Sequence, residues 1–546
     1  MRALRALPPV LAAAALLTSF TGSPASADGH HGDGGHGGRS VVGRYHHLVV
    51  IYEENHSFDN LYGDWGPVGG RRIDGLARPA ARHTAPQVAQ DGTPYGCLPQ
   101  NDVNLAAPPL AATCQDAGHG VPASHFANRP FTIDDYIGPM DKTCPAPGVF
   151  AANGVLKDSA GALPGGCTRD LVHRFYQEQY QIDHGKQDRY VTGSDAVGLT
   201  MGTYDTKSLP IWKYLHAPGA PKYVIADRFF QGSFGGSFLN HQYLIAGRAP
   251  VDTAAAPGGA QESLHSVVDS NGFPNAGYPL YKPTGTVKDA QLTQACGPAA
   301  NVDVACGDYA VNTIQPASTP RGGGAQLPLI DDAKYPNIGD RLSGAGVDWA
   351  WYSGGWKDAD AGHPGPLFQF HHQPFNYFAA YAPGQPGRTH LKDETEFLDA
   401  AKKGTLPTVS FVKPYGAENE HPGYASEADG SDHLVDMLKT IESGPQADDT
   451  LVVVTYDEFG GQWDHVSPPG KGSRTKGAFD LFGPGTRVPA LVVSRSLPHS
   501  GVDHTVYDTT SILATIERGL HLAPVGTRDG RVNDLSGVLH AAGAHH

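Results

Sequence analysis

The sequence predicts an α/β fold with a largely parallel central sheet flanked by helices. Segments with the pattern of buried strands alternate with helical patterns along the chain, as in proteins that build such a sheet. Two of the strand-like segments, residues 46–63 and 449–469, stop abruptly against acidic residues. In these sheets the ligand lies beyond the carboxyl ends of the strands, so both segments could deliver carboxylates to one point.

These two segments share one design. The first, HHLVVIYEENHSFDNLYG, runs from apolar residues into Glu54 and Asn55, and the second, DTLVVVTYDEFGGQWDHVSPP, runs into Asp457 and Glu458, with His465 shortly after. Either segment alone could be a strand that enters a surface loop. Together they predict a shared site, because carboxylates gathered at one point repel each other unless a cation lies between them.

The same residues resemble a known family. ENHSFDNLYG looks like the opening motif of the bacterial phosphoesterases that include phosphatidylcholine-type phospholipases C and a group of acid phosphatases, and YDEFGGQWDHVSPP is similar to their closing motif. The resemblance covers most of residues 46–535. It implies an alkaline-phosphatase-like fold and the hydrolysis of phosphoric esters.

The expected cofactor is one divalent cation. We expect Glu54, Asn55, Asp457 and Glu458 to hold it, with the hydroxyl of Ser237 as a further ligand. Oxygen donors suit Ca²⁺, Mg²⁺ or Mn²⁺, but Zn²⁺ also accepts carboxylates, so the identity of the metal stays open.

Ser237 is the predicted nucleophile. It lies in QGSFGGSFLN, a Gly-rich turn before a probable helix, where backbone N–H groups can stabilise an oxyanion and Asn240 offers one more donor. The family's Thr-x-x-Asn pattern matches residues 237–240. Two alternatives stay open: Ser237 caps the helix, a frequent role of serine, or Ser233 or Thr200 is the attacking group.

Three histidines are expected to bind the phosphate, and one of them to protonate the leaving group. Residues 170–173 match the Asp-x-x-His start of a family motif, which makes His173 a candidate, and a His-Pro pair does the same for His421. His465 follows the second carboxylate pair. With Asn55 and Asn240 they complete the predicted substrate-binding set.

The domain organisation is read from composition. Residues 1–27 have two early arginines, an apolar run and an Ala-Ser-Ala site, the pattern of a secretory signal, so we expect a secreted protein. Residues 28–43 are Gly- and His-rich and predicted to be disordered. One catalytic domain follows over residues 44–540, with loop-rich insertions at about 77–166 and 250–327.

The net charge and the apolar runs limit the possible binding partners, and the cysteines indicate disulfides. A formal net charge of −15 argues against binding to a nucleic-acid backbone, which depends on Lys and Arg. After the signal no apolar run is long enough to span a membrane, although transient lipid contact stays open. Six cysteines in a chain with an export signal favour disulfides. They allow 15 connectivities, of which nearest-neighbour pairing gives Cys97–Cys114, Cys144–Cys167 and Cys296–Cys306.

The sequence therefore predicts a secreted, metal-dependent phosphoric ester hydrolase, with phosphatase-like and phospholipase C-like substrates both open. A sulfatase is an alternative because the folds are related, but no cysteine heads the C-x-P-x-R motif that a sulfatase needs. A catalytically silent exoprotein that binds phosphate or metal is the alternative from another class.

Overall fold

The computed structural model describes residues 40–77, 85–98, 127–135, 170–194, 197–255, 290–297 and 303–543. The predicted signal segment and residues 28–39 lie outside these ranges. Among the described residues, no helix combines the length and the apolar character that a membrane crossing requires.

The described residues form a central sheet of eight strands. In chain order these are β1 His47–Glu53, β2 Lys222–Ala226, β3 Trp349–Ser353, β4 Leu391–Asp393, β5 Val409–Lys413, β6 Thr450–Tyr456, β7 Ala490–Ser494 and β8 Gly501–Asp503. Their spatial order is β8-β2-β7-β6-β1-β5-β3-β4. Only β7 runs antiparallel to its neighbours, which confirms the predicted α/β class with a largely parallel sheet.

The middle of the sheet is covered on both faces. β1 and β6 are buried along nearly their whole length, which explains why both read as continuous apolar runs rather than alternating ones. The helices are α1 Phe58–Leu61, α2 Phe175–Ile182, α3 Pro210–His216, α4 Ser237–Ala246, α5 Ile338–Gly344, α6 Trp356–Asp360, α7 Glu394–Lys403, α8 Glu427–Ser443, α9 Thr510–Gly519 and α10 Ser536–Ala541. Helices α3 and α7 pack on α8, and α5 and α9 pack on α4.

Three short strand pairs of the described residues lie outside the central sheet, and the first of them joins the first predicted insertion to the rest of the chain. Phe131–Thr132 pairs with Gly202–Thr203, and Gln315–Pro316 pairs with Gln326–Leu327. A third pair joins Phe229–Phe230, before α4, to Tyr507–Asp508, before α9. Most of residues 77–166 and about half of 250–327 lie outside the described residues.

The disulfide prediction is confirmed at one pair. Cys296 and Cys306 form a disulfide, as nearest-neighbour pairing predicts. Cys97 is also disulfide-bonded. Its predicted partner Cys114, and the predicted pair Cys144–Cys167, lie outside the described residues.

A buried ionic group, which we call the Arg487 cluster, joins α1 to the segment before β7. The Arg487 guanidinium binds Asp59 of α1 at 2.9 Å and Asp464 at 3.0 Å. The His465 imidazole lies 2.6 Å from Asp59 and 3.5 Å from Asp74. Burial alone would lower the pKa of His465, but Asp59 and Asp74 outweigh it and raise that pKa to about 9. His465 is therefore an imidazolium at neutral pH.

The raised pKa of His465 predicts a pH-dependent stability. A group whose pKa rises on folding stabilises the fold fully below its unfolded value, near pH 6.5, and the contribution is lost as pH rises through about 9. We expect His465→Gln to destabilise the protein by a few kcal/mol at pH 6 and by much less at pH 10. Urea unfolding at both values measures this.

The matched control is His363→Gln, which replaces an exposed histidine. Its free energy of unfolding should follow that of the wild type at every pH. A destabilisation by His465→Gln that is the same at pH 6 and pH 10 would show that His465 is not charged in the fold.

Candidate active site

The carboxyl ends of three adjacent parallel strands form the site. β1 lies between β5 and β6, with Ile51 level with both Val412 and Val454. The residues that follow β1 and β6 therefore emerge side by side, and the Asp457 N–H donates to the Glu53 carbonyl at 3.1 Å. The expectation that the two sequence segments meet at one point is met by this geometry.

Asn55 turns the chain away from the sheet directly after β1. Its φ of 57° is left-handed, a conformation that asparagine adopts more readily than most residues. The turn aims its backbone N–H at Asp457 Oδ1, 3.3 Å away, and its side-chain amide at His421 Nε2, 2.9 Å away. Asn55 thus links both strand ends to a predicted phosphate ligand.

Ser237 begins α4 after the turn at residues 231–236, which we call the nucleophile turn. Gly235 has a left-handed φ of 88°, and a side chain there would collide with the backbone of Phe175. The buried carboxylate of Glu178 accepts hydrogen bonds from the Gly235 N–H at 2.6 Å and from the Gln231 amide at 2.9 Å. The turn is therefore rigid, and it fixes where Ser237 enters the site.

The Ser237 hydroxyl points at the strand ends. Its Oγ lies 3.1 Å from Glu54 Oε2 and 3.5 Å from Asn55 Oδ1, and the residue is only 5% exposed. The N-cap of α4 is Gly236, which makes no side-chain cap bond. The alternative role of Ser237 as a helix cap does not fit this placement.

The Asn240 amide is occupied by the nucleophile turn. Its Oδ1 accepts from the Ser233 N–H at 2.8 Å, and its Nδ2 donates to the carbonyls of Gly235 and Gly236 at 3.2 Å each. These bonds close the turn onto the first helical turn. They leave the amide committed to the backbone, so the contacts do not support the predicted role of Asn240 as a phosphate donor.

The three carboxyl groups of the site are fully buried, and their pKa values shift in different directions. Burial raises the pKa of Asp457 well above its usual value, and Glu54 raises it further. Burial and the neighbouring Asp457 do the same for Glu458. Burial also acts on Glu54, but His372 and Lys413 outweigh it and hold that pKa well below its usual value. Glu54 is therefore ionised.

The donor set fits a hard cation. Asp457 Oδ2 is buried and accepts no hydrogen bond, which leaves a carboxylate oxygen without compensation. Carboxylate, amide and hydroxyl oxygens from Glu54, Asn55 and Ser237 lie beside it. A divalent cation bound by oxygens would supply the missing charge.

Three basic side chains of the site were not predicted from the sequence. Lys413 ends β5 and places its buried Nζ 2.5 Å from Glu54 Oε1, and His372 Nε2 lies 2.8 Å from the same oxygen. The His241 ring stacks parallel on His372 at 5.1 Å between centroids. Glu54, His241 and His372 also present ligand atoms close enough together to hold a metal ion.

Signals for these residues exist in the sequence. Lys413 is the charged residue that ends the buried run LPTVSFVKP, and His372 belongs to the pair in FHHQPFNYF. His241 lies one helical turn after Ser237 and contacts the Ser237 carbonyl through Nδ1 at 2.8 Å.

Two of the predicted histidines, His173 and His421, lie together at the site. Their ring centroids are 6.4 Å apart. His421 Nδ1 faces the Pro422 carbonyl at 2.6 Å and its Nε2 accepts from the Asn55 amide, which fixes a neutral tautomer. Burial lowers the pKa of His421 further. His173 Nε2 lies 3.3 Å from the Glu458 carboxylate, and its side chain is 19% exposed.

His465 is not brought into this group. Its described contacts are those of the Arg487 cluster, with Asp59 and Asp74. They hold it as part of a structural ion network and do not support the predicted phosphate-binding role.

Comparisons with known proteins identify a family and several relatives of this chain. The model of the Phosphoesterase family matches residues 45–523. Phospholipase C B of Mycobacterium tuberculosis is 29% identical over 532 residues, which cover 91% of this chain and 78% of that protein. The non-hemolytic phospholipase C of Burkholderia pseudomallei is 31% identical over 219 residues, covering 34% of this chain and 29% of that protein.

Among solved structures, one similar chain is a protein in the alkaline phosphatase superfamily from Vibrio parahaemolyticus. It is 16% identical, with a TM-score of 0.22, over 36% of this chain and 50% of that chain. The family model covers both sequence motifs, and the resemblance that they predict is confirmed. The chain belongs to the Phosphoesterase family and is an ester hydrolase.

Proposed function

We propose that the protein is a secreted, metal-dependent phospholipase C-type phosphoesterase in which Ser237 is the nucleophile. The observation that carries the proposal is the Ser237 hydroxyl, 3.1 Å from the ionised carboxylate of Glu54 within a buried group of oxygen ligands. The relatives named phospholipase C support the choice of a phosphodiester over a monoester.

Glu54, Asn55, Asp457, Glu458 and the Ser237 hydroxyl would hold the cation. When bound, such a cation lowers the pKa of a hydroxyl and draws charge from phosphoryl oxygens. The chain's own residues orient the reaction: Glu54 accepts the hydrogen of Ser237, and Lys413 and His372 keep Glu54 ionised.

The reaction then has two steps. Ser237 Oγ attacks phosphorus, the bond from phosphorus to the glycerol oxygen breaks, and the headgroup phosphate is left esterified to Ser237. A water molecule next attacks that ester, which releases the phosphorylated headgroup and restores the serine. The backbone N–H groups at the start of α4 stabilise the phosphoryl oxygens.

His173 is the proposed general acid for the departing alcohol. His421 is unsuited to this role, because its Nε2 accepts a hydrogen bond from the Asn55 amide and therefore carries no hydrogen to donate. His173 Nε2 faces the Glu458 carboxylate at 3.3 Å, and its side chain is the more exposed of the two. His421 instead holds the Asn55 amide in place.

Export is part of the proposal. It rests on the charged start, apolar run and Ala-Ser-Ala site within residues 1–27, and disulfides of the kind found at Cys296–Cys306 persist mainly in oxidising compartments. Turnover of a phosphate diester would separate this enzyme from a catalytically silent phosphate-binding exoprotein.

Removal of the nucleophile tests the central assignment. We expect Ser237→Ala to lower turnover of a phosphodiester by about 10³-fold or more, because no other group replaces the attacking oxygen. Ser233→Ala and Thr200→Val are the matched controls, since those hydroxyls donate to the carbonyls of Phe482 and Val197. Both should stay within about tenfold of the wild type. An active Ser237→Ala variant would contradict the mechanism.

Metal removal tests the cation. Exhaustive chelation should abolish turnover and one equivalent of divalent metal should restore it. Asp457→Asn should weaken metal binding by more than the ~10- to 100-fold that loss of an outer-shell partner costs. Titration calorimetry with Ca²⁺, Mg²⁺, Mn²⁺ and Zn²⁺ measures the affinities.

Glu420→Gln is the control for this experiment. Burial raises the pKa of Glu420 to about 8, so the carboxyl is largely neutral at pH 7 and glutamine is a close match. Metal affinity should not change in this variant. Full activity of a chelated wild type with no metal by elemental analysis would refute metal dependence.

A leaving-group comparison tests His173. His173→Ala should cost about 10²- to 10⁴-fold with an alkyl alcohol as leaving group. The loss should be much smaller with 4-nitrophenolate, which departs without protonation. His421→Gln should lower both rates alike, because it disturbs Asn55 rather than proton transfer. Equal losses for His173→Ala on both substrates would remove His173 as the acid.

A further inference from the structure

Two large apolar side chains are exposed close together after the closing motif. Phe479 is 47% exposed and Leu481 is 45% exposed; with Leu329, at 40%, they are the large hydrophobic side chains left exposed in the described part of the chain. Single exposed apolar side chains are common on soluble proteins, whereas contiguous exposed apolar patches mark sites of interaction with proteins or membranes. We call residues 471–482 the apolar tip.

The apolar tip is held rigidly. Between its two exposed side chains, Asp480 turns inward to the buried guanidinium of Arg528, with 3.0 Å between Asp480 Oδ2 and Arg528 Nε. The Asp480 N–H donates to the Gly483 carbonyl at 2.8 Å. The one acidic charge of the tip is thereby neutralised, and Phe479 and Leu481 remain at the surface.

Three basic side chains precede the apolar pair in the sequence. Lys471, Arg474 and Lys476 are all exposed and lie within six residues of one another, in a chain whose net charge is −15. Lys471 pairs with Asp303 at 2.8 Å, which leaves Arg474 and Lys476 as the main source of local positive charge. Exposed apolar side chains next to basic ones are typical of surfaces that bind anionic membranes.

The tip is joined directly to the nucleophile turn. The Phe482 carbonyl accepts from the Phe234 N–H at 2.8 Å and from the Ser233 hydroxyl at 2.7 Å. A cavity of about 490 Å³ opens behind Phe479 and Leu481, and Phe234, three residues before Ser237, forms part of its wall. The apolar surface therefore continues from the tip towards the catalytic turn.

We infer that the apolar tip inserts into the surface of an anionic phospholipid bilayer and presents the nucleophile turn to it. The inference deepens the proposed function, on which it rests, by assigning the surface through which the enzyme meets the bilayer. A second copy of the chain fits less well, because a stable dimer buries about 800 Å² on each partner and two side chains offer far less. The acidic chain also argues against a nucleic acid.

Vesicle sedimentation tests the inference. It uses the full chain in the Ser237→Ala background, so that binding is measured without turnover, and vesicles of phosphatidylglycerol mixed with phosphatidylcholine or of phosphatidylcholine alone. We expect Phe479→Ser with Leu481→Ser to lower binding to the mixed vesicles by about tenfold or more. Arg474→Glu with Lys476→Glu should abolish the preference for the anionic vesicles, as should high salt.

The matched controls lie elsewhere on the surface. Leu329→Ser removes the other exposed apolar side chain, and Lys402→Glu with Lys403→Glu makes the same charge change on α7. Both should bind vesicles as the parent does. Failure of the parent to bind vesicles of either kind would overturn the inference, and so would undiminished binding by the Phe479, Leu481 double variant.

A second measurement keeps the inference testable if the Phe479, Leu481 double variant does not fold. Brominated lipids should quench the tryptophan fluorescence of the Phe479→Trp variant more than that of the parent, which has only the native tryptophans. They should not do so for Leu329→Trp. Equal quenching of the two variants would overturn the inference. Turnover of a water-soluble phosphodiester by the otherwise wild-type chain keeps the two proposals separate. A chain that does not hydrolyse the water-soluble phosphodiester would contradict the proposed function. The vesicle experiments would still decide whether the apolar tip binds membranes.

Discussion

The structure depends on holding three carboxylates, those of Glu54, Asp457 and Glu458, in one buried place. Like charges a few ångströms apart in a medium of low dielectric repel strongly, and each also loses its hydration. For Glu54, contacts with Lys413 and His372 offset the lost hydration and hold its pKa low. Asp457 and Glu458 keep raised pKa values, so positive charge is still lacking on that side. This imbalance is the physical reason to expect a cation there.

The fold makes this crowding possible. Two parallel strands, β1 and β6, run side by side with their residues paired in register, and both are buried along nearly their whole length. The third component, Ser237, arrives on α4 from a turn that Glu178 and Asn240 lock from both sides. Strand register and a rigid turn thus place the hydroxyl against Glu54 before any substrate binds, which lowers the cost of reaching the reactive geometry.

The sequence was most informative where chemistry follows a buried strand. Glu54, Asn55 and Asp457 could be placed from the strand ends alone, and Ser237 from the Gly-rich turn before a helix. The contacts of Lys413 and His372 could not be placed, because each meets Glu54 across more than 300 residues of sequence and neither lies in one of the two motifs. A charged residue at the end of a buried run, such as Lys413, does not show which distant side chain it meets.

His465 and Asn240 show the opposite difficulty, since both lie close in sequence to residues that the structure gathers at the candidate site. Gly460 and Gly461 both adopt left-handed φ angles, 62° and 77°, and they redirect the chain so that His465 reaches Asp59 instead. Asn240 is one helical turn past the N-cap, and its amide folds back on the nucleophile turn. Spacing along the sequence predicts nearness, whereas backbone direction decides which group is contacted.

The central claim is that Ser237 itself becomes phosphorylated during turnover. The most direct measurement is acid quenching of the wild-type enzyme during steady-state hydrolysis of a phosphodiester, followed by proteolysis and mass spectrometry of the peptide that contains QGSFGGSFLN. We predict a headgroup phosphate esterified to Ser237, which forms within one turnover and decays when substrate is exhausted. A headgroup phosphate on another residue, or turnover with no modified peptide, would contradict this mechanism.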